Sequence, residues 1–346
     1  MSTTKQNIKW FDSWGAMKRS NCVFNFFIGM RGVGKTYSAL KGHREDFERE
    51  EVSKLLYLRT TTNEINMSAK EEDNPYKRLN RDLNWDIHFD SVGDNTKAYN
   101  IIDGDTILGS GRSLASFHNL RGVDFSDYDV IYWDECLPTE NVVKTPVIKR
   151  SGYLFAHAYE TINRNRELLG EEPVKVIFTA NAFSLDSDLL RTFKLTNILQ
   201  KMQETGQKRY TDKERSIYIE LAESEDFKQA KQETALYKAL SNDSEMVDIA
   251  LNNKFTDYAL SMVYDVPLTE YKPFLNVGGI TFLEHRNDGK WYATARNMTV
   301  KENYKMNEVS VFRRRWYTPM KIAIFERKIG FDNADTYYKV LQFLEK

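Results

Sequence analysis

The sequence predicts an α/β protein: a P-loop core with a mainly parallel sheet, a helical linker and a small α+β domain. Three observations carry this. Gly29-Met-Arg-Gly-Val-Gly-Lys-Thr36 fits G-x-x-x-x-G-K-[ST] without a mismatch. Strand-type apolar runs alternate with helical stretches through the first two thirds of the chain. From Glu223 the texture changes to a stretch rich in Ala, Glu, Lys, Gln and Leu with no Gly or Pro up to Leu251. The expected boundaries are 1–222, 223–253 and 254–346.

The elements follow in order. Val23, Phe24, Phe26, Phe27 and Ile28 form a buried strand feeding the glycine loop, and Lys35 to Glu51, free of Pro, forms the helix after it. Leu55–Leu58 is a second strand. Ile101–Leu108 contains Asp103-Gly104, a dipeptide suited to a hairpin turn. Val130–Trp133 and Val174–Phe178 are two further strands of the fully apolar kind found in parallel sheets, with Tyr153–Leu168 as the crossover helix between them. Two β–α–β passes make the domain doubly wound, and Ser216–Leu221 closes it. Beyond Phe255, Val277–Leu283 and Trp291–Thr294 flank the turn Asn287–Lys290 as a hairpin. Ala323–Arg327 continues the strand-like texture and Thr336–Leu344 is helical.

Composition narrows the class. A chain of 346 residues holds two domains, and 41% hydrophobic with 29% charged residues is ordinary for a globular protein. No apolar run approaches the roughly 20 residues of a membrane span, and Met1–Lys9 has no apolar signal core. The expectation is a cytoplasmic protein with no signal peptide, membrane segment or membrane partner. Cys22 and Cys136 are far apart, and the five histidines are scattered, which argues against disulfides, zinc or any metal beyond Mg²⁺. With 49 basic and 50 acidic residues there is no global pull toward nucleic acid, so contact with a polyanion must come from local clusters. Lys77-Arg78 with Arg81, Lys144 with Lys149-Arg150, and Arg313-Arg314-Arg315 are the candidates.

The chemistry gathers at strand ends. Backbone N–H groups across Gly29, Arg31, Gly32, Val33 and Gly34 wrap phosphate oxygens, aided by the N-terminus of the next helix. Lys35 neutralises β/γ charge and Thr36 ligates Mg²⁺. Ile131-Tyr-Trp-Asp134-Glu135 matches a Walker-B strand, so Asp134 joins the Mg²⁺ shell and Glu135 polarises the attacking water. Asn181, at the tip of the neighbouring strand, is either a γ-phosphate contact or a strand cap. Arg164 and Arg166 are either charges at a helix C-terminus or an arginine finger offered to a neighbouring subunit. Arg121 is a second such candidate. Asn253-Lys254-Phe255-Thr256 lacks the Asp a GTPase needs, and Gly109-Ser-Gly111 is no dinucleotide fingerprint.

The set Phe27–Thr36, Tyr57-Leu-Arg59, Ile131–Glu135, Arg164-Asn-Arg-Glu167, Ala180-Asn-Ala182 and Ile219–Ser224 resembles the DNA-packaging ATPases of phi-twenty-nine-like tailed phages. That resemblance implies ATP-driven translocation of double-stranded DNA by a homopentameric ring at the portal vertex of a procapsid. It also implies docking on a structural prohead RNA, in the cytoplasm of an infected bacterial host. Lys35, Thr36, Asp134 and Glu135 then act in cis, and Arg164 and Arg121 in trans, Arg121 standing where the family carries Lys. The wider terminase family implies an RNase H-like nuclease as the second domain, a chemistry of two metals and several carboxylates. Val277–Leu283 and Trp291–Ala295 carry none, so a vestigial domain without nuclease activity is expected, serving nucleic acid or capsid. Lys144, Lys149 and Arg150 are assigned to the DNA track, and Arg313–Arg315 beside Trp316-Tyr317 to the RNA or capsid side. The competing readings are a helicase or replication-type ATPase, and a regulatory NTPase that is no motor.

Overall fold

A computed structural model describes residues 8–93, 98–120, 123–137, 145–181, 185–239 and 261–344. The chain forms two compact units, Met1–Phe193 with Met202–Thr256, and Lys194–Lys201 with Asp257–Lys346.

The first unit is built on nine strands: β1 (Phe24–Gly29), β2 (Lys54–Arg59), β3 (Ile87–Ser91), β4 (Ala98–Asp103), β5 (Thr106–Ser113), β6 (Tyr128–Trp133), β7 (Lys175–Ala180), β8 (Arg209–Asp212) and β9 (Ile217–Ala222). Their order is β3-β4-β5-β2-β6-β7-β1-β9-β8. The run from β5 to β9 is parallel throughout, and antiparallel hairpins finish both edges. The expected hairpin turns at Gly104, whose φ of +59° suits glycine. The expected closing strand is β9, but β8 lies outside it as the edge.

Alternation along the strands sorts the core into two layers. Phe27, Leu55, Tyr57, Val130, Tyr132 and Ile177 bury against helices α1 (Ser13–Ser20) and α2 (Lys35–Glu48). Phe26 and Phe178, on the other face, stack with ring centroids 4.1 Å apart, and Trp133 stacks on Phe155 at 5.2 Å. Such pairs add about 0.5–1.5 kcal/mol each beyond burial. The short helices α3 (Thr62–Ser68) and α4 (Lys77–Leu83) follow β2, and α5 (Pro146–Lys149) leads into α6 (Ser151–Asn163). This crossover helix stops five residues before the expected Leu168, because Arg164 takes a positive φ of 45° and breaks the helical run. Helices α7 (Asp188–Thr192) and α8 (Thr196–Thr205) follow. Of the expected linker, α9 (Glu225–Gln232) and α10 (Ala235–Ala239) are helical, and residues 240–253 lie outside the described part. Phe227 of α9 packs on Met30 and Val33, so this helix covers the outside of the glycine loop.

The second unit has five strands, β10 (Tyr271–Val277), β11 (Ile280–His285), β12 (Trp291–Thr294), β13 (Glu302–Tyr304) and β14 (Ile329–Phe331), in the order β13-β10-β11-β12-β14. Helices α11 (Val309–Phe325) and α12 (Ala334–Leu344) complete it around Leu275, Phe282, Phe312, Phe331 and Phe343. Two sequence expectations are corrected here. Val277–Leu283 is not one strand, since Gly278 and Gly279 at φ +55° and +86° turn the chain between β10 and β11. The first strand is therefore Tyr271–Val277, which also lacks a carboxylate. Ala323 to Phe325 ends α11 rather than forming a strand, because Phe312, Met320 and Ala323 are buried at helical spacing.

Candidate active site

Parallel pairing puts the C-terminal ends of β1, β2, β6 and β7 at one edge of the sheet, and the polar residues at those ends meet there. Gly29 closes β1 against β9 so tightly that a Cβ on it would lie 2.4 Å from the Ala222 carbonyl oxygen. Gly34 opens α2 with φ +110°, a conformation L side chains rarely adopt. The loop thereby leads into the N-terminus of α2, the end of a helix that favours an anion.

Lys35 is buried. Its Nζ donates to the carbonyls of Gly29 (3.0 Å) and Met30 (2.8 Å) and to Asn181 Oδ1 (3.3 Å). Burial lowers its pKa to about 8, against the opposing pull of Glu135 and Asp134. Thr36 Oγ1 donates to Asp134 Oδ1 at 3.2 Å. Two cis oxygens on an octahedral Mg²⁺ lie about 3.0 Å apart, given metal–oxygen bonds of about 2.1 Å. This hydroxyl and carboxylate therefore fit such an ion as neighbouring hard ligands.

Asp134 is the hub. Its Oδ1 also accepts from Tyr132 OH (2.8 Å) and Thr179 Oγ1 (2.8 Å), and its Oδ2 from Tyr57 OH (3.2 Å) and Arg59 Nη1 (3.3 Å). Arg59 in turn reaches Glu64 at 3.5 Å. Glu64 also forms a capping box with Thr61 at the start of α3. Tyr57, Tyr132, Thr179 and Arg59 were not singled out in the sequence as site residues. The available signal was the polar residue ending or alternating within each apolar strand next to the Walker-B strand.

Glu135 sits at φ +52°, an uncommon conformation for a residue with a side chain. Its carboxylate oxygens accept from Asn181 Nδ2 at 3.2 and 3.3 Å. Burial raises its pKa, the adjacent Asp134 charge adds to this, and Lys35, Arg59 and Arg31 oppose it. Asn181 thus joins the loop lysine to Glu135 through its two amide atoms.

Arg164 and Arg166 lie elsewhere. Arg166 Nη1 pairs with Asp129 Oδ1 at 3.1 Å, near the start of β6. Asp134 follows the other end of that strand, roughly 16 Å away at about 3.3 Å per residue. Arg164 is exposed, and its guanidinium donates to the carbonyls of Val123 (2.8 Å) and Thr161 (3.3 Å). Neither arginine belongs to the site of its own chain. Arg121 and Lys144 lie outside the described residues. Lys149 and Arg150 are exposed at the junction of α5 and α6, with the Arg150 guanidinium 4.5 Å from the ring centre of Tyr153.

The Arg313–Arg315 run is not a single basic patch. Consecutive helical residues diverge by about 100°. Arg313 donates to the Phe343 and Gln342 carbonyls, where it caps α12. Arg315 pairs with Glu302 at 2.9 Å. Arg314 is exposed. Trp316 packs against Phe274 and Trp291, which removes part of the stacking surface expected there. Among the described residues there is no group of three or more His, Cys, Asp or Glu able to hold a metal ion, and no helix is long and apolar enough to cross a membrane.

A family profile described as Podovirus DNA encapsidation protein (Gp16) matches residues 10–267. No curated protein matches the sequence. Among solved structures, the bacteriophage Phi-29 viral genome packaging motor assembly is similar over 97% of this chain and 100% of its own, with 15% identity and a TM-score of 0.66. The Phi-28 gp11 DNA packaging motor is similar over 96% of this chain and 97% of its own, with 12% identity and a TM-score of 0.65. At such identities the likeness is one of fold.

Proposed function

The chain belongs to the podovirus DNA encapsidation family, and from that premise we propose that it is the ATP hydrolase of a ring motor that drives double-stranded DNA into a procapsid. The observation carrying this reading is the convergence of Lys35, Thr36, Asp134, Glu135 and Asn181, each within hydrogen-bond distance of another. The ring is a pentamer by family resemblance, docked transiently on the portal and prohead RNA in the host cytoplasm.

The glycine loop receives the phosphates of ATP on its N–H groups, and Lys35 exchanges its loop carbonyls for phosphate oxygens. Thr36 and Asp134 would hold Mg²⁺, which when bound neutralises charge on the β- and γ-phosphates. The tyrosines, Thr179 and Arg59 keep the Asp134 carboxylate oriented. Glu135 takes the proton of the attacking water, and burial raises its pKa toward the pH at which a general base works best. Asn181 donates to both Glu135 oxygens and senses Lys35, so the presence of γ-phosphate and the placement of the base are linked. A finger completing the transition state comes from the neighbouring copy, through Arg164, with Arg121 as the second trans residue. Lys149, Arg150 and Lys144 serve the DNA track. In the second unit Arg314 is the arginine of its run left to face RNA or capsid, and that unit acts as a vestigial, non-cutting platform.

Glu135→Gln tests the core of this reading. It should bind ATP normally and lose roughly 10²-fold or more in turnover, the scale of a positioned general base. Steady-state hydrolysis near the unsubstituted rate would remove Glu135 from the role.

A further inference from the structure

We propose that Trp10 is a stacking platform for the base of a purine nucleoside triphosphate, with Tyr37 and Arg78 as the walls of the slot. The proposal rests on the reading of the glycine loop as a phosphate site and extends it to the other end of the nucleotide. Trp10 lies 19 residues ahead of the loop in sequence, yet the backbone folds it directly onto the loop. Phe11 N–H donates to the Val33 carbonyl at 3.0 Å, and a Cβ on Gly34 would meet Trp10 Cβ at 3.4 Å. The indole is therefore fixed beside the last glycine of the phosphate cradle, where α2 begins. Phe227 supports it from α9 at a ring distance of 5.5 Å. Even so, Trp10 remains 46% exposed, uncommon for so large an apolar ring held by packing.

Beside its open side lies the guanidinium of Arg78. Tyr37 follows Thr36 directly in sequence, and Arg78 on α4 places its guanidinium carbon 5.7 Å from the ring centres of both Trp10 and Tyr37. A flat, delocalised cation thus occupies the space between two aromatic rings next to the phosphate loop. A purine is likewise flat, stacks on indole without directional hydrogen bonds, and also stacks on guanidinium. Arg78 is held at its far side by Asp82 at 3.3 Å, an exposed pair that leaves the guanidinium free to yield the slot or cover the base.

Calorimetric titration of the full chain with Mg·ATP and with Mg·tripolyphosphate, a base-free probe, tests the assignment. Trp10→Ala should weaken ATP binding about tenfold, within the roughly 5- to 150-fold range of one lost stacking contact, and leave tripolyphosphate affinity unchanged. Trp10→Phe should restore most of the ATP affinity. Unchanged ATP binding by Trp10→Ala overturns the platform, and so does an equal loss for both probes, which would mean that Trp10 only shapes the glycine loop. Failure of the unsubstituted chain to bind either probe would instead overturn the phosphate-loop reading, and the platform with it.

Discussion

The two ends of the same parallel sheet use charge in opposite ways. At the carboxyl ends of the strands, Asp134 accepts five hydrogen bonds, Lys35 is buried with three acceptors, and Glu135 is held by Asn181. Asn181 joins Lys35 to Glu135, and Arg59 of β2 supplies Asp134 with an opposite charge. At the amino ends, Arg166 is neutralised by Asp129, whereas Arg164 donates to main-chain carbonyls at an exposed position, with the Asp124 charge nearby. Two leucines beside it, Leu168 and Leu169, are 86% and 72% exposed. The polar groups at the carboxyl ends are hydrogen-bonded to one another, whereas the Arg164 guanidinium at the amino ends lies exposed. The two arginines, two residues apart in sequence, thus have different surroundings.

The largest effect should come from breaking the link between the two ends. Arg164→Ala mixed into rings of unsubstituted subunits should depress hydrolysis at neighbouring sites, and uniform Arg164→Ala rings should lose on the order of 10³-fold. Equal rates for monomer and ring, together with a neutral substitution, would leave Arg164 a helix-end charge.

The next effect sharpens the carboxyl edge. Glu135 must be ionised to accept a proton, and its pKa is raised above the 4.5 usual for glutamate. Hydrolysis should therefore fall with a midpoint above 4.5 as pH is lowered, about tenfold per unit beyond it. Asn181→Ala removes donors that favour the ionised form, so the acid limb should move to still higher pH. A limb that stays in place shows that Asn181 does not tune Glu135.

A third variant divides the amino edge. Arg166→Ala should lower unfolding stability by about 1–3 kcal/mol, the scale of charge-assisted hydrogen bonds, with hydrolysis in assembled rings preserved. Arg164→Ala should do the reverse. Denaturant titration beside ATPase rates reads both, and exchanged phenotypes would make Arg166 the finger.

The smallest effects concern nucleic acid. Neutralising Lys149 and Arg150 should reduce the slope of log affinity for double-stranded DNA against log salt by about one unit per lost phosphate contact. Arg314→Ala should weaken RNA-dependent docking and leave that slope alone, while Arg313→Ala should act through the stability of α12. Salt titrations that move equally for all three would erase the distinction between the surfaces.

The phosphate loop, the Walker-B pair and Asn181 were legible in the sequence because each is a local signal: glycines at fixed spacing, or a polar residue ending an apolar strand. The parallel, doubly wound core was legible for the same reason, since strand and crossover periodicities are written in neighbouring residues. What surrounds Asp134 was not. Tyr57, Arg59 and Thr179 lie up to 122 residues apart, and only the register of a parallel sheet brings them onto one carboxylate. Arg313 read as a nucleic-acid contact because its role depends on α12, which begins about 20 residues later. Ala323–Arg327 read as a strand because β-branched and aromatic residues favour strands until packing at helical spacing decides otherwise. Sequence set the chemistry available at each strand end, and tertiary structure chose its partners, because hydrogen bonds and ion pairs between distant residues depend on position in space.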